Sequence, residues 1–266
     1  MNDARGKART RRPPATAPAT APAPAEPPAA GARLRLNKYL SERGLCSRRE
    51  ADAWIATGRV TVNGAAAALG TRVQPDDTVA LDGRPLGAES RHFYIALHKP
   101  VGIECTTDTR VPHNIVDFVA HSARLFPIGR LDKDSEGLIL LTNDGDIVNR
   151  LLRAEHEHEK EYLVTVDRAL TDDFLRAMAS GVRVLDRTTR PCAAERVSKN
   201  VFRIVLTQGL NRQIRRMCDA FGYTVRRLVR VRFVNVRLDG IAPGRWRNLT
   251  SAELRGLLPP ASAKSA

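Results

Sequence analysis

The run Gly129-Arg130-Leu131-Asp132-Lys133-Asp134-Ser135-Glu136-Gly137-Leu138, continuing as Ile139-Leu140-Leu141-Thr142, restricts the fold more than any other stretch of this chain. Leu138 to Thr142 is short, apolar and unbroken, which predicts a strand buried on both faces instead of an alternating surface strand. Charges beside such a strand are costly unless they are paired or used. Arg130 and Asp132 straddle Leu131 in a bend bounded by Gly129 and Gly137, a backbone able to turn sharply and present side chains to a cleft. Local pattern leaves two readings open, a solvated loop with an ion pair or a functional site.

The 266 residues leave room for one large domain or two modest ones. Residues 1–32 are rich in Pro, Ala, Arg and Lys and nearly free of large apolar side chains, so they read as a disordered basic arm that attracts phosphates or merely solubilises. Residues 33–83 form the first folded unit. Leu36, Tyr39 and Leu40 recur at helical spacing before Gly44, and Ser47-Arg48-Arg49-Glu50 has the form of a capping box opening a second helix with Ala51, Trp54 and Ile55 inward. Arg59 to Gly64 and Thr78 to Gly83 follow as short strands ending in tight turns. Residues 84–92 read as a linker, 93–257 as a second domain and 258–266 as a flexible tail.

Charge sets the partner class. With 43 Lys+Arg against 29 Asp+Glu, the net charge of +14 and a pI near 10.5 point to a polyanion. No apolar run is long enough for a bilayer and no apolar leader is evident, so a cytoplasmic protein without membrane contact is expected. Cys46, Cys105, Cys192 and Cys218 are scattered, without a Cys-x-x-Cys pair for zinc or redox work. His156 and His158 invite a metal reading, but third and fourth ligands have no source and a solvated turn suits them as well. No metal is therefore expected.

In the second domain Phe93 to Lys99 is a strand stopped by Pro100, Asn114 to Ala120 a short helix, and Asp144 to Arg153 a helix with Ile147, Val148, Leu151 and Leu152 on one face. An alternating strand runs from Leu163 to Val166. Tyr162 at its start is either an ordinary half-buried tyrosine or a ring facing a cleft. Thr171 caps a helix ended by Gly181, and Val182–Val184, Ala193–Val197 and Val201–Leu206 are further strands. The mixture argues α+β, with a mostly antiparallel sheet, over a parallel βαβ series. No Gly-rich nucleotide loop is present. In Gly209 to Gly222, Ile214, Met217, Cys218 and Phe221 make an apolar helical stripe; Arg212 and Arg216 point away from it and Arg215 lies at its edge. A half-buried Arg215 calls for a carboxylate or phosphate partner. Arg226, Arg227, Arg230 and Arg232 continue a basic surface suited to an RNA backbone, or simply a charged face.

Two resemblances rest on these residues. Arg35 to Leu40, Cys46 to Ala51 and Gly58 to Gly64 resemble the small RNA-binding domain first known from ribosomal protein S-four, which implies RNA docking through Lys38, Arg43, Arg48, Arg49 and Arg59. Gly129-Arg130-Leu131-Asp132-x-x-Ser135-x-Gly137-Leu138, Lys160-x-Tyr162 and Asn211 to Met217 resemble the three motifs of RNA pseudouridine synthases of the RsuA/RluB/RluE/RluF branch. Phe126 to Ser135, His158 to Tyr162 and Gln208 to Gln213 are most similar to the RluF subfamily, which implies a uridine of 23S rRNA in the peptidyl-transferase region as target and tRNA as a further one.

The resemblance implies an α+β pair of domains, a monomer, no cofactor, and a role for each motif residue. Asp132 is the expected nucleophile. Tyr162 is expected to stack on the target base and assist proton removal, and Arg215 to pair with the catalytic carboxylate. Arg130 is expected to fill the space left by the flipped nucleotide, with Lys160, Arg212 and Arg216 as further substrate contacts. Uridine isomerisation exchanges a carbon–nitrogen for a carbon–carbon glycosidic bond without redox change, so an ionised carboxylate suffices. A competing reading is a non-catalytic RNA-binding or ribosome-assembly protein, which has no use for an anion inside a basic cleft. A glycoside hydrolase built on Asp132 and Asp134 fares worse, because residues two apart on an extended turn tend to face apart.

Overall fold

The computed structural model describes residues 33–87, 92–152 and 158–257; the amino-terminal arm, the tail, His156 and the middle of the expected linker lie outside them. The first domain comprises Leu34–Arg35 (β1), Leu36–Glu42 (α1), Arg48–Ala56 (α2), Val60–Val62 (β2), Ala65–Ala66 (β3), Arg72–Val73 (β4), Val79–Leu81 (β5) and Arg84–Pro85 (β6). The capping box forms as the sequence predicts: the Ser47 hydroxyl accepts the Glu50 N–H at 3.2 Å and Glu50 accepts the Ser47 N–H at 2.6 Å. Leu36, Leu40, Ala51 and Ile55 from the helices bury against Val60 and Val79 from the sheet. Asn63-Gly64 and Asp82-Gly83 adopt positive φ in the β2–β3 and β5–β6 hairpins, as two-residue turns demand. The sheet reaches into the stretch expected as linker, since β6 pairs with β5 and the Leu86 N–H donates to the Val79 carbonyl at 2.8 Å. Pro85 is tolerated there because it lies on an edge strand.

The second domain runs Tyr94–Lys99 (β7), Ile115–Val119 (α3), Phe126–Ile128 (β8), Glu136–Thr142 (β9), Gly145–Leu152 (α4), Lys160–Val166 (β10), Asp172–Ser180 (α5), Arg183–Val184 (β11) and Arg187–Thr188 (β12). It continues with Ala193–Ser198 (β13), Val201–Leu206 (β14), Gln213–Asp219 (α6), Val225–Phe233 (β15), Val236–Arg237 (β16), Trp246–Asn248 (β17) and Ser251–Leu257 (α7). The main sheet is ordered β13-β14-β10-β15-β9-β7-β17, with β16 on β15 and β8 on β9. Its pairings are antiparallel except that of β9 with β15. The α+β, mostly antiparallel expectation therefore holds. Among the described residues no helix is long and apolar enough to cross a membrane.

β9 is the strand on which the layers meet. Leu138 and Leu140 enter one apolar cluster with Ala96, Ile147 and Phe233, while Ile139 and Leu141 enter the opposite one with Leu97, Ile115 and Leu131. Burial on both faces is what its unbroken apolar sequence requires. One edge of β9 pairs with β7 throughout; the other is shared by β15 at Glu136–Gly137 and β8 at Leu140–Thr142.

β15 departs from expectation. Its arginines read as a continuous basic surface, yet Arg230 is only 3% exposed and donates from Nε to the Leu138 carbonyl at 2.6 Å. Arg232 pairs with Glu161 at 2.8 Å and Glu159 at 2.9 Å, and Arg227 donates to Glu136 at 2.6 Å. These guanidiniums fasten β15 to β9 and to the region of β10. Another departure is Phe221, which lies past the end of α6 and is 40% exposed, whereas Ile214, Met217 and Cys218 are buried as the stripe predicts.

Candidate active site

Leu131 fixes the charged loop. Its side chain is buried with Ile139 and Leu141, so its neighbours Arg130 and Asp132 are turned outward, Asp132 with a side chain 33% exposed. Backbone contacts then hold the loop on both sides of Asp132: the Leu131 N–H donates to Cys105 Sγ at 3.4 Å and the Gly102 N–H to the Lys133 carbonyl at 2.8 Å. The Ser135 N–H closes the turn onto the Asp132 carbonyl at 3.1 Å. The splinting segment is secured by Lys99, which is fully buried and donates to the carbonyls of Pro100 at 2.9 Å and Ile103 at 2.8 Å. Burial pushes the Lys99 ammonium below its ordinary pKa, against the opposing pull of Cys105, Asp134 and Asp132. Burial also pushes the Cys105 thiol up, so its sulfur sits beside the loop as a neutral acceptor.

The arginines of α6 are arranged differently from expectation. Arg212, whose left-handed φ of 50° starts the helix, forks onto Asp134 with two contacts of 3.1 Å and reaches Asp132 at 3.8 Å. Arg215 is half-buried as anticipated, its side chain 13% exposed, but its carboxylate partner is Asp134 at 3.4 Å and not Asp132. It also donates to the Asp134 carbonyl at 3.0 Å and the Ser135 hydroxyl at 3.3 Å. The turn closed by Ser135 explains the correction, because it directs Asp134 toward α6 and leaves Asp132 to a cavity. Burial tends to raise the Asp134 carboxyl, but Arg212 and Arg215 more than offset this and hold it below its ordinary value.

That cavity has a volume of about 370 Å³ and is walled by Gly102, Cys105, Arg130, Asp132, Asp134 and Arg212, among others. It lies within the size range of small-molecule sites. Of the expected site residues it gathers Arg130, Asp132 and Arg212. Tyr162 does not line it; the ring is half-buried against the Leu131 cluster and against the core formed by β10, β14, α5 and α6. Lys160 turns to the His158 carbonyl at 2.8 Å, its pKa pushed down by burial and by Arg230. Arg216 folds back onto Asn211 at 3.1 and 3.4 Å and takes no part in the cavity.

In the first domain Arg59 is engaged with Asp82 and lies over Trp54, Arg43 donates to the Gly87 carbonyl and covers Tyr39, and Lys38 pairs with Glu42 at 3.3 Å. Arg48 and Arg49 are exposed. Among the described residues no group of three or more His, Cys, Asp or Glu side chains is arranged to hold a metal.

Lys99, Cys105 and Arg230 escaped sequence reasoning. The signal available for Arg230 was alternation, since Leu228, Arg230 and Arg232 interleave with Val229, Val231 and Phe233 at strand period. For Lys99 it was a lysine closing an apolar strand immediately before Pro100.

Arg215→Ala removes the donor to the Asp134 carbonyl and the buried Ser135 hydroxyl while Arg212 still holds the Asp134 carboxylate, and should cost roughly 1–3 kcal/mol of stability. Urea unfolding of the two proteins measures it, and a midpoint shift corresponding to less than about 0.5 kcal/mol contradicts the geometry. Because the Asp134 pKa is depressed, its stabilising contribution is complete above its unfolded value and is lost as pH falls through the folded one, so Asp134→Asn should flatten that part of the acid-unfolding curve.

The chain is similar to known proteins over both domains. A sequence profile for RNA pseudouridylate synthases matches residues 93–220, and one for the S4 domain matches residues 34–79. The chain is 57% identical over 224 residues to the dual-specificity RNA pseudouridine synthase RluF of Escherichia coli O157:H7, spanning 83% of this chain and 77% of that protein. It is 34% identical over 232 residues to the ribosomal large subunit pseudouridine synthase B of Bacillus subtilis, spanning 84% of this chain and 95% of that one. A crystal structure of a pseudouridylate synthase superimposes with a TM-score of 0.62 at 30% identity, covering 85% of this chain and all of that one.

Proposed function

Because this chain belongs to the RNA pseudouridine synthase family, we propose that it isomerises a uridine of 23S rRNA, with tRNA as a second substrate, and that Asp132 is the nucleophile. The observation that carries the assignment is the setting of Asp132, a partly exposed carboxylate on a splinted loop, facing a cavity whose other ionic walls include Arg130 and Arg212. The RluF relative is described as dual-specificity, which is the reason for testing both RNAs.

In this reading the S4 domain holds the RNA while the target nucleotide leaves its stack and enters the cavity. The C1′–N1 bond breaks, either by attack of Asp132 at C1′ or by loss of the C2′ proton to give a glycal. Uracil then turns in place and C5 bonds to C1′, which releases the Asp132 carboxylate from C1′ on the first route and takes the lost proton back at C2′ on the second. The C5 proton is removed and N1 ends protonated, so the composition of the nucleotide is unchanged and no electrons enter or leave. Arg212, within 3.8 Å of Asp132, lies close enough to meet the phosphate of the incoming nucleotide. The family resemblance gives Tyr162 the roles of supporting the base and assisting removal of the C5 proton; its ring packs beside Leu131 without lining the cavity, so these roles require the Asp132 loop to shift as RNA binds.

The assignment is tested by mapping pseudouridine in 23S rRNA and tRNA from a deletion strain. One or more uridines should remain unmodified there and be restored by the intact gene but not by Asp132→Ala; an unchanged map in both RNAs defeats the proposal. For Tyr162, Tyr162→Phe should lower kcat by about 10²-fold with KM unchanged, the loss typical of a missing proton-transfer group. Tyr162→Ala should raise KM as well. Steady-state tritium release from labelled uridine reads both parameters, and full kcat in Tyr162→Phe removes the hydroxyl from the mechanism.

A further inference from the structure

A larger cavity lies outside this site. It has a volume of about 870 Å³ and is built by both domains, with Arg49 and Glu50 from α2 on one side and the loop Thr106 to Arg110, His121 and Arg124 on the other. Arg124 and Glu50 meet across it at 2.8 Å, both side chains at least one-third exposed, so the seam can open to a competing anion. The segment 101–110 is shared: its first half walls the Asp132 cavity and its second half walls this one. A chain leaving the first cavity along that segment arrives in the second.

The far wall carries the His121 ring, which is backed outside the lining by Phe93 at 4.7 Å and Trp246 at 5.6 Å, edge to face in both cases. Its Nδ1 accepts the Ala123 N–H at 2.9 Å, which fixes the ring and leaves the proton of the neutral form on Nε2. Trp246 remains 40% exposed and Phe118, near Gly244 of the loop before β17, 37% exposed. Arg49, Arg110 and Arg124, the last two in exposed pairs with Asp108 and Glu50 that an incoming phosphate can displace, line the cavity with the hydroxyls of Thr106, Thr107 and Thr109 and the His121 ring, groups by which proteins hold unpaired nucleotides. A protein partner would have less use for a polar cleft continuous with an RNA site.

We propose that the interdomain cavity is a second RNA site, which holds the single-stranded nucleotides flanking the target uridine, their phosphates on Arg49, Arg110 and Arg124 and a base against His121, whose ring Trp246 backs. The proposal rests on RNA being the substrate but not on Asp132 being the nucleophile. It is tested with full-length protein and a fluorescent eight-residue oligouridylate carrying 4-thiouridine. Cross-links should fall on peptides containing Thr106–Arg110, His121 or Trp246, and the double variant His121→Ala/Trp246→Ala should weaken binding about tenfold, as loss of a stacked base does. The same variant should raise KM for unmodified RNA from the deletion strain while kcat is retained. Cross-links confined to residues 101–105 and 130–134 or to α1, or oligouridylate affinity unchanged in the double variant, overturn it. Failure of Asp132→Ala to block turnover, with these cross-links present, removes the nucleophile assignment and leaves the second site standing.

Discussion

Asp132→Ala should abolish pseudouridine formation, with single-turnover rates reduced at least about 10⁴-fold, while RNA affinity should stay within about twofold of the parent. The separation of effects follows from position. Asp132 is partly exposed at the cavity wall and its nearest cation is 3.8 Å away, so little folding energy depends on it. Asp134 is the contrasting case. It takes the Arg212 fork and the Arg215 contact, so Asp134→Asn should loosen the loop and lower turnover only about tenfold, by misplacing Asp132. Equal losses in the two variants would assign the chemistry to the pair, and an active Asp132→Ala enzyme would falsify the nucleophile assignment outright.

Gly137→Ala is the other large effect, and it acts through the backbone. Gly137 has φ of 109°, and a Cβ there would lie 2.3 Å from the Arg230 carbonyl oxygen and 2.6 Å from its nitrogen. Both neighbours are main-chain atoms of β15 and cannot swing aside, so β9 and β15 must separate where they pair in parallel. We expect a loss of more than about 3 kcal/mol, the sum of a forbidden conformation and an overpacked centre. Thermal unfolding with soluble expression reads it. Gly145→Ala serves as control, because that glycine has open space around its Cβ position.

What the sequence made legible was local. The capping box on α2, the Asn-Gly and Asp-Gly turns, and the two-sided burial of β9 each follow from a handful of adjacent residues, and each is found. The motif residues Arg130, Asp132 and Arg212 also come together. Less visible were pairings between distant segments. β15 hid because buried guanidiniums bonded to carbonyls and carboxylates look, in one dimension, like solvent-facing charge. Lys99 hid because a lysine whose ammonium is satisfied by two backbone carbonyls has no partner in any motif. The partner of Arg215 was misread for a related reason: periodicity said it would be half-buried, but the Asp132–Ser135 turn decided which carboxylate it met.

The parallel contact of β9 with β15 rests on two residue pairs, Glu136 with Val229 and Gly137 with Arg230, that lie far apart in the chain. Every side chain gathered around Asp132 is made before β15 is, yet the strand that backs Gly137 is among the last of the sheet to be synthesised. Closing so long a loop is slow and comes late in folding. During synthesis, a nascent chain that already carries Asp132 has β7 and β8 beside β9 but lacks the strand that backs Gly137 until β15 emerges. The support behind the Asp132 loop is thus complete only when the whole domain is.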